Sequence, residues 1–324
     1  MSDLISITDL VVDFDTKRGT LHAVRGVSLD IAAGESVGIV GESGSGKTVF
    51  SRAAMGLLRG NRVHRTGKII FEGTDLRTLD NEQVREYWGT KIAMVFQDPM
   101  TALNPVRRIG SQMSESLVKR LGMSKEDAKK RSIELLSQVR LPEPELALTK
   151  YPHQLSGGMR QRVMIAMSIA CNPKLLFADE PTTALDVTVQ AQVLELLADL
   201  RKDMGMAMVI VTHDLGVVAG YTDRIAVMYG GEIVELATTT DLFADVKMPY
   251  TEALMNAIPR IDRKRGSSLA AIEGMPPDPT TTHTGCAFAA RCPYAQQKCR
   301  DEHPELVDAG NGHLYRCFFP IGGK

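Results

Sequence analysis

Gly41-Glu42-Ser43-Gly44-Ser45-Gly46-Lys47-Thr48 fits the spacing G-x-x-x-x-G-K-[ST] at every required position. Glycines at these places let backbone N–H groups turn inward into an anion nest at a helix N-terminus. Lys47 is placed to reach the β- and γ-phosphates of a nucleotide, and the Thr48 hydroxyl suits a Mg²⁺ ion. Downstream, the apolar run Leu175-Leu176-Phe177-Ala178 ends in Asp179-Glu180. Asp179 is positioned to hold Mg²⁺ directly or through water, and Glu180 to orient or deprotonate an attacking water. Between them lies Leu155-Ser156-Gly157-Gly158-Met159, at the start of a helix. A serine hydroxyl, glycine N–H groups and the helix dipole make a second anion site there. Alone, a Ser-Gly-Gly reads as a flexible N-cap and two acids as a solvated strand end. Behind a complete phosphate loop they read as catalytic parts.

These residues need a scaffold, and the hydrophobic pattern supplies one. Short β-like pieces fill the first 30 residues, including Leu10–Phe14 and Ala23–Val27. Ser36–Val40 reads as a buried strand directly before the glycine loop. Further strands are expected at Lys68–Phe71, Ile92–Phe96, Lys174–Ala178 and Ala207–Val211, with helices after Ser156 and over Val187–Leu200. Strands alternating with helices indicate an α/β domain with a largely parallel sheet. A helical pattern between about Ile109 and Val139 reads as an insertion into it.

The chain has 324 residues, 44% hydrophobic and 24% charged, with a net charge of −1. That composition suits a globular protein larger than one minimal domain. It supplies no basic field for nucleic acid, so no nucleic-acid partner is expected. Met1–Leu10 carries Asp3 and Asp9 and lacks the features of a signal peptide, and no apolar run is long enough to span a bilayer. Past Pro259 come a basic cluster, Arg260–Arg265, and a proline- and threonine-rich stretch, Met275–Thr284. Four of the five cysteines follow: Cys286, Cys292, Cys299 and Cys317. They form either two disulfides or a metal site, according to compartment. Their spacing is not that of compact ferredoxin or zinc motifs. His283, His303 and His313 could add metal ligands, although surface positions are the commoner outcome for such residues, and Cys171 reads as a buried small hydrophobe.

Taken in order, the phosphate loop, Gln97, Leu155–Met159, Asp179-Glu180, Ala184-Leu185-Asp186 and His213 resemble the ATP-binding subunit of an ABC transporter over roughly residues 5–260. The resemblance implies a P-loop (RecA-like) α/β core and a head-to-tail pair of cassettes. Ser156, Gly157 and Gly158 of one cassette would grip the γ-phosphate held by the other. It also implies that Gln97 senses Mg²⁺ and the γ-phosphate, that His213 holds the transition state and that Asp186 links the two sites. Phe14 is the nearest upstream aromatic that could stack on adenine. Met159 stands where the family usually has glutamine; since the anion contacts come from Ser156 and glycine backbone, the change is expected to be tolerated.

Phe96–Pro105, Tyr151–Gln154 and Pro249-Tyr250-Thr251 resemble the peptide and nickel importer branch, most closely the D-type ATPase of oligopeptide and dipeptide permeases. The implied organisation is an ATPase domain over 1–259, with a helical subdomain at about 98–157. A linker and small irregular cysteine-bearing extension occupy 260–324. Implied cofactors are ATP, Mg²⁺ and a [4Fe–4S] cluster on the four tail cysteines; zinc and free or oxidised thiols are the other states the residues allow. Implied partners are two transmembrane permease subunits, a homologous F-type ATPase and, indirectly, an external solute-binding protein. The chain would then sit peripherally on the cytoplasmic face of the membrane. Nickel, glutathione or another solute are alternative cargoes. The lack of a sustained heptad and the presence of one signature argue against a non-transport ABC ATPase acting on DNA or ribosomes. The tail could also act as a redox or metal-sensing module.

Overall fold

The computed structural model describes residues 3–183, 186–258 and 272–322. The expected domain boundary at 259/260, the basic cluster Arg260–Arg265, and Ala184 and Leu185 lie outside them. Strands β1 (Asp3–Thr16) and β2 (Gly19–Ala32) form a hairpin, from which the chain enters β3 (Ser36–Val40). The short β-like pieces expected at the N-terminus are thus two strands of 14 residues each. β4 (Val63–Phe71) and β5 (Thr74–Asp75) complete a four-stranded antiparallel sheet of order β2-β1-β4-β5.

The second sheet carries the chemistry. It comprises β3, β6 (Ile92–Val95), β7 (Leu175–Asp179), β8 (Ala207–Thr212), β9 (Arg224–Tyr229), β10 (Glu232–Thr238), β11 (Val307–Asp308) and β12 (Leu314–Tyr315). Its order is β11-β12-β10-β9-β3-β8-β7-β6. β9, β3, β8, β7 and β6 are parallel, whereas β10, β12 and β11 pair antiparallel, so the sheet is parallel from β9 to its β6 edge and antiparallel on the other side. Every residue of β3, β6, β7 and β8 is buried. That is why these strands read as unbroken apolar runs: helices and the other sheet cover both faces.

The helical stretch is two helices, Ile109–Leu121 and Lys125–Gln138, followed by a short third, Pro144–Thr149. Gly122 ends the first in the left-handed region at φ 66°, a conformation glycine adopts at little cost. The Ser124 hydroxyl caps the next by accepting from the Asp127 N–H. Met113, Leu117, Leu135, Leu136 and Leu148 bury this insertion against the main core. Among the described residues, no helix is long and apolar enough to cross a membrane.

The extension is mostly irregular, as expected, but it is tied into the main sheet by two strands of 2 residues each. β12 pairs with β10 through Glu235–Tyr315 and Leu236–Leu314, so the tail extends the main sheet. Phe288 is fully buried, with its ring 5.2 Å from Tyr229 and 5.3 Å from Tyr250. A segment too small for a core of its own is held by borrowing this one. His313 is not a surface residue: it is buried, with Nε2 2.8 Å from the fully buried Glu235 carboxylate. Cys171 is half-buried. Phe288→Ala is expected to cost about 3–5 kcal/mol in chemical denaturation followed by tryptophan fluorescence and circular dichroism. A loss below about 1 kcal/mol would mean that the ring contributes no core packing.

Candidate nucleotide site

Four loops meet where parallel strands end side by side. The glycine loop follows β3, His213 follows β8, Glu180 follows β7 and Gln97 follows β6. Since β3, β8, β7 and β6 are neighbours in that order, their C-terminal ends form one edge, the usual location of a ligand crevice in such sheets.

Between β3 and the helix Lys47–Ala54, the loop is shaped by glycine at two positions of close approach. A Cβ on Gly41 would lie 2.2 Å from the Met228 carbonyl oxygen. One on Gly46, which has φ 100°, would lie 2.4 Å from the Ala23 oxygen. The Lys47 amine donates to the Gly41 carbonyl at 2.6 Å, the Glu42 carbonyl at 2.8 Å and Ser45 Oγ at 3.3 Å. Burial pushes this amine down to about 8, against the pull of Glu180, Asp179 and Glu42. Phosphate binding favours the charged amine, which sets the sign of a pH effect. Nucleotide affinity is expected to be level below about pH 8 and to fall by up to tenfold per pH unit above it, as binding takes up one proton. Equilibrium titration of ATP across that range checks this; an affinity flat to pH 9.5 would contradict it.

Thr48 Oγ1 donates to Asp179 Oδ1 at 2.9 Å. Asp179 is fully buried, and burial raises its pKa; its Oδ2 has no hydrogen-bond partner. A buried carboxylate oxygen without a donor, beside a hydroxyl, is a hard oxygen pair that fits Mg²⁺. Glu180 is held at φ 46°, with its N–H donating to the Val211 carbonyl at 2.8 Å. Its Oε2 accepts from Gln97 Nε2 and from Thr183 Oγ1, each at 2.8 Å. His213 Nδ1 lies 3.6 Å from the other oxygen, Oε1. Gln97, Glu180 and His213 therefore converge on one point beside Lys47, Thr48 and Asp179.

Ser156, Gly157 and Gly158 do not join this cluster. Ser156 caps the helix Gly157–Ile169, accepting from the Met159 N–H at 3.3 Å, and with Gly157 is exposed. A Cβ on Gly158 would sit 3.2 Å from Val189. Met159 packs its side chain against the core, where a polar residue is not needed. Asp186 is exposed and caps the helix Val187–Met204 through the Val189 N–H. Phe14 lies in β1 between Leu21 and Val63, partly buried against the core of its own sheet. It does not line the pocket at the glycine loop, which is bounded by Arg25, Tyr229 and Pro276–Pro279. Glu42 contributes little to an anion nest: its N–H donates to Tyr250 Oη at 2.8 Å and its carboxylate pairs with Arg291.

Cys286, Cys292, Cys299 and Cys317 line one pocket with Phe288, Phe318 and Phe319. No disulfide links any of the four. Burial pushes the Cys317 thiol up to about 11 and raises Cys286 and Cys292 as well. Among the described residues, no group of three or more His, Cys, Asp or Glu side chains is arranged to hold a metal ion.

Comparison with known proteins decides the family. Residues 24–183 match the family described as ABC transporter, and 234–299 the family described as oligopeptide/dipeptide transporter, C-terminal region. The chain is 46% identical to the dipeptide transport ATP-binding protein DppD of Bacillus subtilis, over 98% of this chain and 95% of that protein. The chain belongs to the ABC transporter ATP-binding proteins. To the oligopeptide transport ATP-binding protein OppD of Salmonella typhimurium it is 45% identical, over 98% of this chain and 94% of that one. A dimeric post-hydrolysis structure of the ATP-binding cassette MJ0796 bound to ADP and Pi superposes with a TM-score of 0.66 at 30% identity. It covers 72% of this chain and 98% of that cassette. The ABC protein described here is accordingly an ATPase built on the α/β cassette fold.

Contacts that the sequence reading missed are long-range. Gln161 Nε2 donates to the Pro181 carbonyl at 2.6 Å, tying the helix Gly157–Ile169 to the loop after Glu180. Tyr250 and Arg291 reach Glu42 from positions more than 200 residues away. No local spacing announces either.

Proposed function

We propose that this chain is the ATP-hydrolysing subunit of an importer of di- or oligopeptides, working peripherally at the cytoplasmic face of the membrane with two permease subunits. The observation that carries the reading is the convergence of Lys47, Thr48, Asp179, Glu180, Gln97 and His213 at one sheet edge. It occurs in a chain aligned nearly end to end with peptide-transport ATP-binding proteins.

Gly41–Thr48 would cradle the phosphates through backbone N–H groups and the Lys47 amine. Thr48 and Asp179, with Gln97, would hold Mg²⁺, which when bound neutralises the charge on the β- and γ-phosphates. Glu180 would take the proton from the attacking water, held in line by Gln97 and Thr183, with His213 steadying the transferring group. The exposed helix start at Ser156–Gly158 would close over the γ-phosphate of a second cassette, and Asp186 would lie at that junction. This second cassette is read as a homologous F-type ATPase. Residues 1–259 are read as the ATPase domain, with 98–157 as its helical part and 260–324 as linker and extension. An external binding protein would select the cargo.

The four tail cysteines would hold a [4Fe–4S] cluster, which would cross-link the extension at four points. Support comes from four thiols around one aromatic-lined pocket.

ATP turnover of the assembled importer in proteoliposomes tests the function. Turnover is expected to rise several-fold when peptide-loaded binding protein is added outside. Stimulation by a nickel chelate or glutathione but by no peptide would overturn the cargo assignment.

A further inference from the structure

An acid in an anion-binding loop is a liability, and the second residue of this loop is Glu42. Its carboxylate is met by the Arg291 guanidinium, which donates to Oε2 at 2.5 Å and to Oε1 at 2.9 Å. The Arg291 side chain is only 3% exposed. It also lies over the Tyr229 ring and donates to the Ile272 and Glu273 carbonyls. Two-point pairing of a planar guanidinium with a carboxylate is the strong form of this contact. Glu42 then continues the chain of contacts, because its carbonyl accepts from the Lys47 amine at 2.8 Å. Arg291 is itself held by the turn in which its N–H donates to the buried Phe288 carbonyl at 3.0 Å.

We propose that Arg291, carried by the cysteine-bearing extension, is a positioning residue for ATP: it neutralises Glu42 and fixes the phosphate loop around Lys47. The inference rests on the reading of Gly41–Thr48 as the nucleotide site. It gives the extension a part in ATP binding beyond its own folding. Without the guanidinium, the Glu42 carboxylate faces the incoming polyphosphate as an unpaired like charge. The interaction is local to the loop, so it affects nucleotide affinity and leaves the proton transfer at Glu180 intact.

Calorimetric titration of Mg-ATP into the full-length chain, with steady-state turnover of the assembled complex, tests this. Arg291→Met is expected to weaken ATP binding about tenfold and raise KM, with kcat within about twofold. Adding Glu42→Gln to it is expected to return affinity to within about threefold of wild type, because the unpaired charge is gone. Arg291→Lys keeps the charge and is expected to lose less than Arg291→Met, which guards against a variant that merely misfolds. Unchanged affinity in Arg291→Met, or a double variant as weak as the single, would overturn the proposal. A wild-type chain that bound no ATP would instead overturn the nucleotide site itself.

Discussion

Glu180→Gln is expected to lower ATP turnover by about 10²–10⁴-fold, the range for removal of a general base, while ATP affinity stays within about threefold of wild type. The geometry argues for a loss confined to chemistry. Glutamine keeps the size of the side chain and an oxygen able to accept from Gln97 and Thr183, which hold Oε2 at 2.8 Å each. What it removes is the basic carboxylate beside His213. Phosphate touches the backbone nest and Lys47 instead, so binding survives. Single-turnover phosphate release and equilibrium nucleotide binding on the same preparation separate the two. A Glu180→Gln complex turning over at near the wild-type rate at both sites would remove Glu180 from its role.

The second large effect concerns the loop's shape. Gly46→Ala is expected to abolish measurable ATP binding, a loss of at least about a hundredfold. Its added Cβ would sit 2.4 Å from the Ala23 carbonyl oxygen at a φ of 100°. Neither backbone segment can yield without moving the start of the helix that presents Lys47 and Thr48. Gly44→Ala is the internal control. There φ is 83°, with nothing within 4 Å of the added Cβ. Only backbone strain of about 1–2 kcal/mol is incurred, an effect of roughly five- to thirtyfold. Equal losses in the two variants would show that backbone conformation alone, not the contact with Ala23, sets the loop.

Which parts were legible in the sequence follows from how far apart their partners lie. The phosphate loop is eight consecutive residues whose chemistry is local, and Asp179-Glu180 ends a strand that is unmistakably buried. The meeting of Gln97, Glu180 and His213 is a different matter. It depends on β6, β7 and β8 being parallel neighbours, which no spacing between 97, 180 and 213 encodes; the family resemblance had to supply it. The extension looked irregular because its apolar residues follow no period. Phe288 is buried, and Leu314 partly buried, by a core and a sheet that belong to residues far upstream. The burial of His313 has the same origin: its partner Glu235 sits inside β10. Phe14, the nearest upstream aromatic, is partly buried against the core of its own sheet.

The most direct test is a crystal structure of the Glu180→Gln chain with Mg-ATP. The γ-phosphate is expected against the Lys47 amine. Mg²⁺ is expected between Thr48 and Asp179, with the Gln97 and His213 side chains turned toward the same phosphate. ATP bound away from Gly41–Thr48, or a metal ion held without Thr48 and Asp179, would contradict this arrangement.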